Sequence, residues 1–180
     1  MITQNKFKEI DFFDNFAKSR EYDVLTPFGY NSIIRDFRRL IGDRLSQGCK
    51  AIDLGCGTGI FARTFFCKDK ADLFGLDISL NSVRVASKKI GKKICYLTGD
   101  IENLCFKDQV FDVVVFSGVL HHFTNIEYSL KEGYRTLKRG GCMLSYDPNI
   151  KNLFMRLYRH HSSPFLSKSG RTDNERLLSA

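Results

Sequence analysis

The stretch Asp53-Leu54-Gly55-Cys56-Gly57-Thr58-Gly59 sets three glycines at alternate positions behind an acidic residue. Alternate glycines allow a tight turn and let a ligand approach the backbone closely. A dinucleotide fingerprint would read G-x-G-x-x-G and hold a pyrophosphate. Here the spacing is G-x-G-x-G, and the Asp53 carboxylate suits a ligand bearing an ammonium group while repelling a pyrophosphate, which argues against a nicotinamide dehydrogenase. Asp77 lies 22 residues past Gly55, about where a ribose carboxylate follows a first strand–helix unit. Two adjacent imidazoles, His121 and His122, follow Ser117-Gly118-Val119-Leu120, and imidazole is the side chain that titrates near neutrality. Tyr146 and Asp147 rank behind them as candidates for proton chemistry.

These residues need strands to position them, and the sequence supplies five. The apolar runs are Lys50–Leu54, Ala71–Ile78, Ile94–Leu97, Phe111–Phe116 and Cys142–Tyr146. Val113-Val114-Val115-Phe116 is apolar throughout, as a parallel strand covered on both faces should be. Helical spacing separates the runs. Ile126, Leu130, Tyr134 and Leu137 share one face, with Thr124-x-x-Glu127 as a capping box and Gly140-Gly141 as a C-cap. Ile150, Leu153, Phe154, Leu157 and Tyr158 give a further helical stripe. Strands alternating with helices predict an α/β, doubly wound, parallel sheet. In such a sheet ligands bind beyond the carboxyl ends of the strands, where Gly55–Gly59, Asp77, Asp100 and Ser117 all fall.

The first 48 residues read as a helical cap region. Tyr30, Ile33, Ile34, Phe37, Leu40, Ile41 and Leu45 make one stripe, and Phe7, Ile10, Phe13 and Ala17 another. Either a hydrophobic lid over a ligand site or a helix packed on the sheet accounts for them, with core packing the default for any one residue.

Composition bounds the rest. The 180 residues, 43% hydrophobic and 27% charged, fit one globular domain. No run approaches a membrane span and the N-terminus lacks an apolar signal core, so a cytoplasmic protein is expected. The six cysteines, at 49, 56, 67, 95, 105 and 142, form no C-x-x-C pair; buried thiols are expected and a metal site is not. The net charge is +8, and residues 151–180 hold six Lys/Arg against two Asp/Glu. A basic tail over 161–180 is a solvated segment or a contact for an anionic partner such as nucleic acid.

Taken in order, these pieces resemble the class I, Rossmann-like S-adenosylmethionine-dependent methyltransferases of the small methyltransferase-domain type, over roughly residues 45–150 within a domain of 49–160. The resemblance implies that Asp53, Gly55, Cys56, Gly57 and Gly59 pass under the methionine part of the cofactor. It implies that Asp77 and Ile78 read the ribose, that Asp100 and Ile101 form the adenine pocket, and that Ser117 closes the fourth strand. Leu137-Lys138-Arg139-Gly140-Gly141 resembles the turn before the fifth strand. In such a fold His121 and His122 face the transferring methyl, as pocket lining or as proton acceptor.

The implied sheet order is 3-2-1-4-5. The family's final antiparallel strand pair has no counterpart after residue 160, which leaves the fifth strand at an edge open to self-association. The expected activity is methyl transfer to a small-molecule or lipid-like acceptor. An RNA methyltransferase and a non-catalytic cofactor-binding remnant are the alternatives. An adenine-amine specificity is disfavoured, because Ser117-Gly118-Val119-Leu120 replaces the Asn/Asp-Pro-Pro-aromatic sequence it would require.

Overall fold

The computed structural model describes residues 5–18, 27–66, 70–89, 93–149, 151–153, 172 and 178. In chain order the elements are α1 (Lys6–Phe16), α2 (Pro27–Ile41), β1 (Lys50–Leu54), α3 (Ile60–Phe65), β2 (Asp72–Asp77), α4 (Leu80–Lys88), β3 (Cys95–Thr98) and β4 (Phe111–Ser117). A 3-10 turn (Leu120–His122), α5 (Ile126–Thr136) and β5 (Leu137–Tyr146) complete them. The five strands form one sheet in the order β3-β2-β1-β4-β5, every neighbouring pair parallel.

Side-chain alternation along β1 and β4 builds two apolar layers, one on each sheet face. Ala51, Val113 and Val115 pack with Phe37, Ile41, Phe61 and Phe65 on one face. Ile52, Leu54, Val114 and Phe116 pack with Leu76, Ile101, Leu120 and Phe123 on the other. All four residues of Val113–Phe116 are fully buried, as their unbroken apolar run predicts. Among the described residues no helix is long and apolar enough to cross a membrane.

The two N-terminal helices divide the roles expected of that region. The Phe37, Ile41 and Leu45 stripe beds on the sheet through α3, whereas α1 crosses the carboxyl ends of the strands. Both stripes are narrower than the sequence suggests. Leu40 and Phe7 point outward, and Phe7 is 81% exposed because α1 turns Lys6, Glu9, Phe13 and Ala17 inward instead.

Helix α5 departs from expectation at both ends. Its N-cap is Asn125, one residue past the expected Thr124, with the Asn125 side chain accepting from the Glu127 N–H, and the Glu127 carboxylate pairs with Lys131. It stops at Thr136, not at Gly140-Gly141, because Leu137 already pairs with Phe111 on β4. The ladder resumes at Val113 and Cys142, so residues 138–141 bulge out, with Gly140 at φ 75° inside the strand. Ile126 and Leu130 of α5, with Leu137 beyond it, pack on the core as expected, beside fully buried Ser129, Gly133 and Thr136, whereas Tyr134 is 73% exposed. A Cβ on Gly133 would lie 2.8 Å from Phe116 Cζ, so that glycine lets the helix approach the sheet.

The cysteines also divide. Cys56 is buried, but Cys95 on edge strand β3 and Cys105 in the β3–β4 connection are exposed, because neither lies between two packed layers. The helix expected after residue 150 lies outside the described residues except at 151–153, where Leu153 is exposed. Residues 161–180 likewise lie outside them except for Thr172 and Leu178. Leu178 donates its N–H to the Pro148 carbonyl and makes a parallel bridge with Asn149.

Candidate active site

The loop after β1 runs Gly55, Gly57 and Gly59 through the left-handed region, at φ 77°, 51° and 74°. A side chain at Gly55 is excluded twice, by that φ and because its Cβ would sit 2.5 Å from Val119. The loop folds back onto β2: the Gly55 and Cys56 N–H groups both donate to the Leu76 carbonyl, at 2.8 and 3.1 Å. Asp77, at the end of β2, is buried and accepts from the Gly57 N–H at 2.7 Å and the Ser79 N–H at 2.9 Å. Burial pushes its carboxyl up, and those two backbone bonds partly offset the shift. Ile78 follows it, half-buried.

Asp53 is fully buried in β1, and among the described residues neither of its carboxylate oxygens has a hydrogen-bond partner. Burial pushes its carboxyl up to about 8; the nearby Ser117 hydroxyl works against the shift and the Asp77 charge adds to it. The Ser117 hydroxyl itself donates to the Gly55 carbonyl at 3.3 Å. At the end of β3, Asp100 accepts from the Glu102 N–H and from Lys6 Nζ, at 3.0 and 2.5 Å, while Ile101 is buried in the core.

Helix α1 lies over all of this. Lys6 reaches Asp100 and Glu102, and the Asp14 carboxylate accepts from the Ser79 hydroxyl and the Asn81 N–H beside Asp77. Phe13 meets the His122 ring edge-on at 5.1 Å, and buried Glu9 comes within 3.6 Å of His122 Nδ1. Three strand ends that carry candidate ligand contacts are therefore bridged by one helix. Sequence reading missed Lys6, Glu9 and Asp14. The available signal was a charged residue, Glu9, falling inside an apolar helical stripe.

Beyond Val119 the chain turns through the two imidazoles. His121 donates its backbone N–H to Asp147 Oδ1 at 3.1 Å, and its ring Nδ1 lies 2.8 Å from the same oxygen. His122 Nδ1 lies 3.2 Å from the Thr172 hydroxyl, and the two imidazole rings are 4.1 Å apart. Tyr146 stands against Gly118 and near Asp53, and its ring packs on the core residues Phe61, at 5.1 Å, and Phe37, at 6.2 Å. All the residues expected from the sequence thus converge at one end of the sheet, and Asp147 joins them more closely than its rank suggested.

A family model described as a methyltransferase domain matches residues 52–145, from β1 to the end of β5. The chain belongs to that family, the class I S-adenosylmethionine-dependent methyltransferases. Among its relatives are a ubiquinone biosynthesis O-methyltransferase of Pelagibacter ubique, 32% identical over 62% of this chain and 47% of the relative. Another is a ubiquinone/menaquinone biosynthesis C-methyltransferase of Haemophilus ducreyi, 30% identical over 83% of this chain and 62% of the relative. A crystallised Pyrococcus horikoshii protein superposes with a TM-score of 0.60 at 29% identity, over 77% of this chain and 71% of that one. The chain spans about half to three-fifths of the length of these two curated relatives.

Methyltransferases of this fold use S-adenosylmethionine, and the donor set here fits it. A fully buried carboxylate with no hydrogen-bond partner among the described residues, beside a glycine loop, matches an ammonium group. A second carboxylate, at the end of the neighbouring strand, matches a pair of hydroxyls.

Proposed function

We propose that this chain binds S-adenosylmethionine across Asp53, Gly55, Cys56, Gly57, Gly59, Asp77, Ile78, Asp100, Ile101 and Ser117. In this reading it methylates a small-molecule or lipid-like acceptor in the cytoplasm. The single observation carrying the reading is Asp53, whose buried carboxylate oxygens have no hydrogen-bond partner among the described residues. A buried charge without a partner is costly, and a ligand ammonium group offsets that cost. When bound, the cofactor supplies a methyl group on a sulfonium, and alignment does most of the remaining work.

Each residue then has a task. Asp53 holds the ammonium group, the glycine loop admits the ligand to the backbone, and Asp77 fixes Gly57 while offering its remaining lone pairs to hydroxyls. Asp100 accepts from an amine at the adenine end. His121 and His122 border the acceptor. Residues 49–160 form the cofactor unit, 1–48 its cap and 161–180 a basic tail. The relatives' names, from ubiquinone and menaquinone biosynthesis, favour a quinone-type acceptor here.

Calorimetry with S-adenosylhomocysteine tests the reading. Each hydrogen bond to a charged group contributes about 1.5–3 kcal/mol, so Asp77→Ala should weaken binding by at least about tenfold. Unchanged affinity in Asp77→Ala overturns the assignment.

A further inference from the structure

Strand β2 carries a glycine, Gly75, in its interior, where no turn requires one. A glycine inside a strand weakens it, and close approach by another group is a reason to keep it. The sheet register shows which group that is. Val115, Asp53, Gly75 and Tyr96 are direct neighbours across β4, β1, β2 and β3, so this row shares one sheet face. A Cβ on Gly75 would lie 2.7 Å from Tyr96 Cδ1 and 3.0 Å from Cys56 Sγ. The tyrosine ring therefore lies across β2, over the one position in the row that has no side chain. Its far end reaches the glycine loop, because a Cβ on Gly59 would lie 2.8 Å from Tyr96 Cζ.

Gly59 is the N-cap of α3, and its N–H donates to the Cys56 carbonyl at 2.8 Å. Arg63 Nη1 donates to the Thr58 carbonyl at 3.0 Å beside the same spot. The Tyr96 hydroxyl is buried there and has no hydrogen-bond partner among the described residues, so its contact with the loop is one of shape. Burial pushes that hydroxyl up to about 12, so it stays neutral beside Cys56 and Asp53.

We propose that Tyr96 is a positioning residue of the cofactor site: its ring, seated on Gly75, is the strut that sets the height of the Gly57-Thr58-Gly59 turn. The inference rests on the cofactor reading above and deepens it. The strand that carries Tyr96 runs on to Asp100, and the turn that the ring supports is tied to Asp77 through the Gly57 N–H. One ring thus joins the adenine-side aspartate to the loop under the methionine part, with Asp53 in the same row. Without the ring the turn stands over a void, and the structure around such a void relaxes partly into it. With a methyl group on Gly75 the ring is driven the other way, against Gly59.

Calorimetry with S-adenosylhomocysteine on single and double variants tests this, together with amide spectra of glycine-15N-labelled protein. Tyr96→Ala and Gly75→Ala should each weaken binding by about tenfold or more and move the Gly57 and Gly59 resonances. The double variant should bind no worse than Tyr96→Ala alone, because the added methyl group then meets empty space. Tyr96→Phe keeps the ring and should bind within about twofold of wild type. Phe111→Leu, buried at the opposite end of the sheet, is the stability control: it should lower the melting temperature and leave the affinity unchanged. Should Tyr96→Ala not fold, Tyr96→Leu carries the same expectations. Wild-type affinity in the Tyr96 variant, or losses that simply add in the double variant, overturns the inference while the cofactor reading stands. Failure of the wild-type chain to bind S-adenosylhomocysteine overturns the cofactor reading, and the inference with it.

Discussion

Asp53 is fully buried, and burial disfavours its charged form in the ligand-free chain. Its folded carboxyl is raised to about 8 by burial, far above the unfolded carboxylate value. The folded chain therefore binds more protons than the unfolded chain between roughly pH 4 and pH 8, and stability falls as pH rises through that window. Asp147, pushed up to about 7 chiefly by burial, adds in the same direction. Asp53→Asn should raise the melting temperature of the ligand-free protein at pH 8 and flatten its pH dependence, while weakening S-adenosylhomocysteine binding. Melting curves from pH 4 to pH 9 check this, and a variant no more stable than wild type at pH 8 would contradict it. The acidic residues at 53, 77 and 100 were legible in sequence because each lies at or just past the carboxyl end of an apolar run. The pairing of His121 with Asp147 was not, because it depends on the register between β4 and β5.

At the level of elements, helix placement turns on a few small or polar residues. Gly133 seats α5 against fully buried Phe116, and a β-branched side chain there would overlap the ring. Gly133→Val should cost about 1–3 kcal/mol through overpacking. At about 2–4 °C per kcal/mol for a chain of this size, thermal melting reads that directly. The apolar periodicity of α5 placed Ile126, Leu130 and Leu137 correctly against the core and erred at exposed Tyr134, and it carried no sign of the buried small residues Ser129, Gly133 and Thr136. Small residues carry no hydrophobic signal, yet they decide which face can come close. Helix α1 is held differently, by Asp14 on Ser79 and Asn81 and by Lys6 on Asp100 and Glu102. Asp14→Ala should speed amide hydrogen exchange in α1 while leaving β1 and β4 protected; equal exchange in both proteins would show that Asp14 is not a fastening. The strands were readable because each is a short apolar run; the destination of α1 was not, because its partners lie in three distant segments.

For the whole molecule, one sheet end gathers the glycine loop, four aspartates (Asp53, Asp77, Asp100 and Asp147), two histidines and the covering helix. A ligand that binds only this folded arrangement must stabilise it. At one hundred times its dissociation constant S-adenosylhomocysteine contributes about 2.7 kcal/mol, which corresponds to a rise in melting temperature of about 5–10 °C. An unmoved melting temperature at saturation would sink that expectation. The fastenings of α1 also set a schedule. Lys6 is 94 residues from Asp100, and Asp14 is 67 residues from Asn81. At about 5–20 residues per second on the ribosome, α1 is made roughly 5–20 s before Asp100 exists. Until then Lys6 has no Asp100 carboxylate to pair with, and Phe13 waits longer still for the His122 ring it packs on. The reaction chamber therefore acquires its roof only after the β3 end has been made, and nascent chains halted before that point should be cut by protease within α1 first.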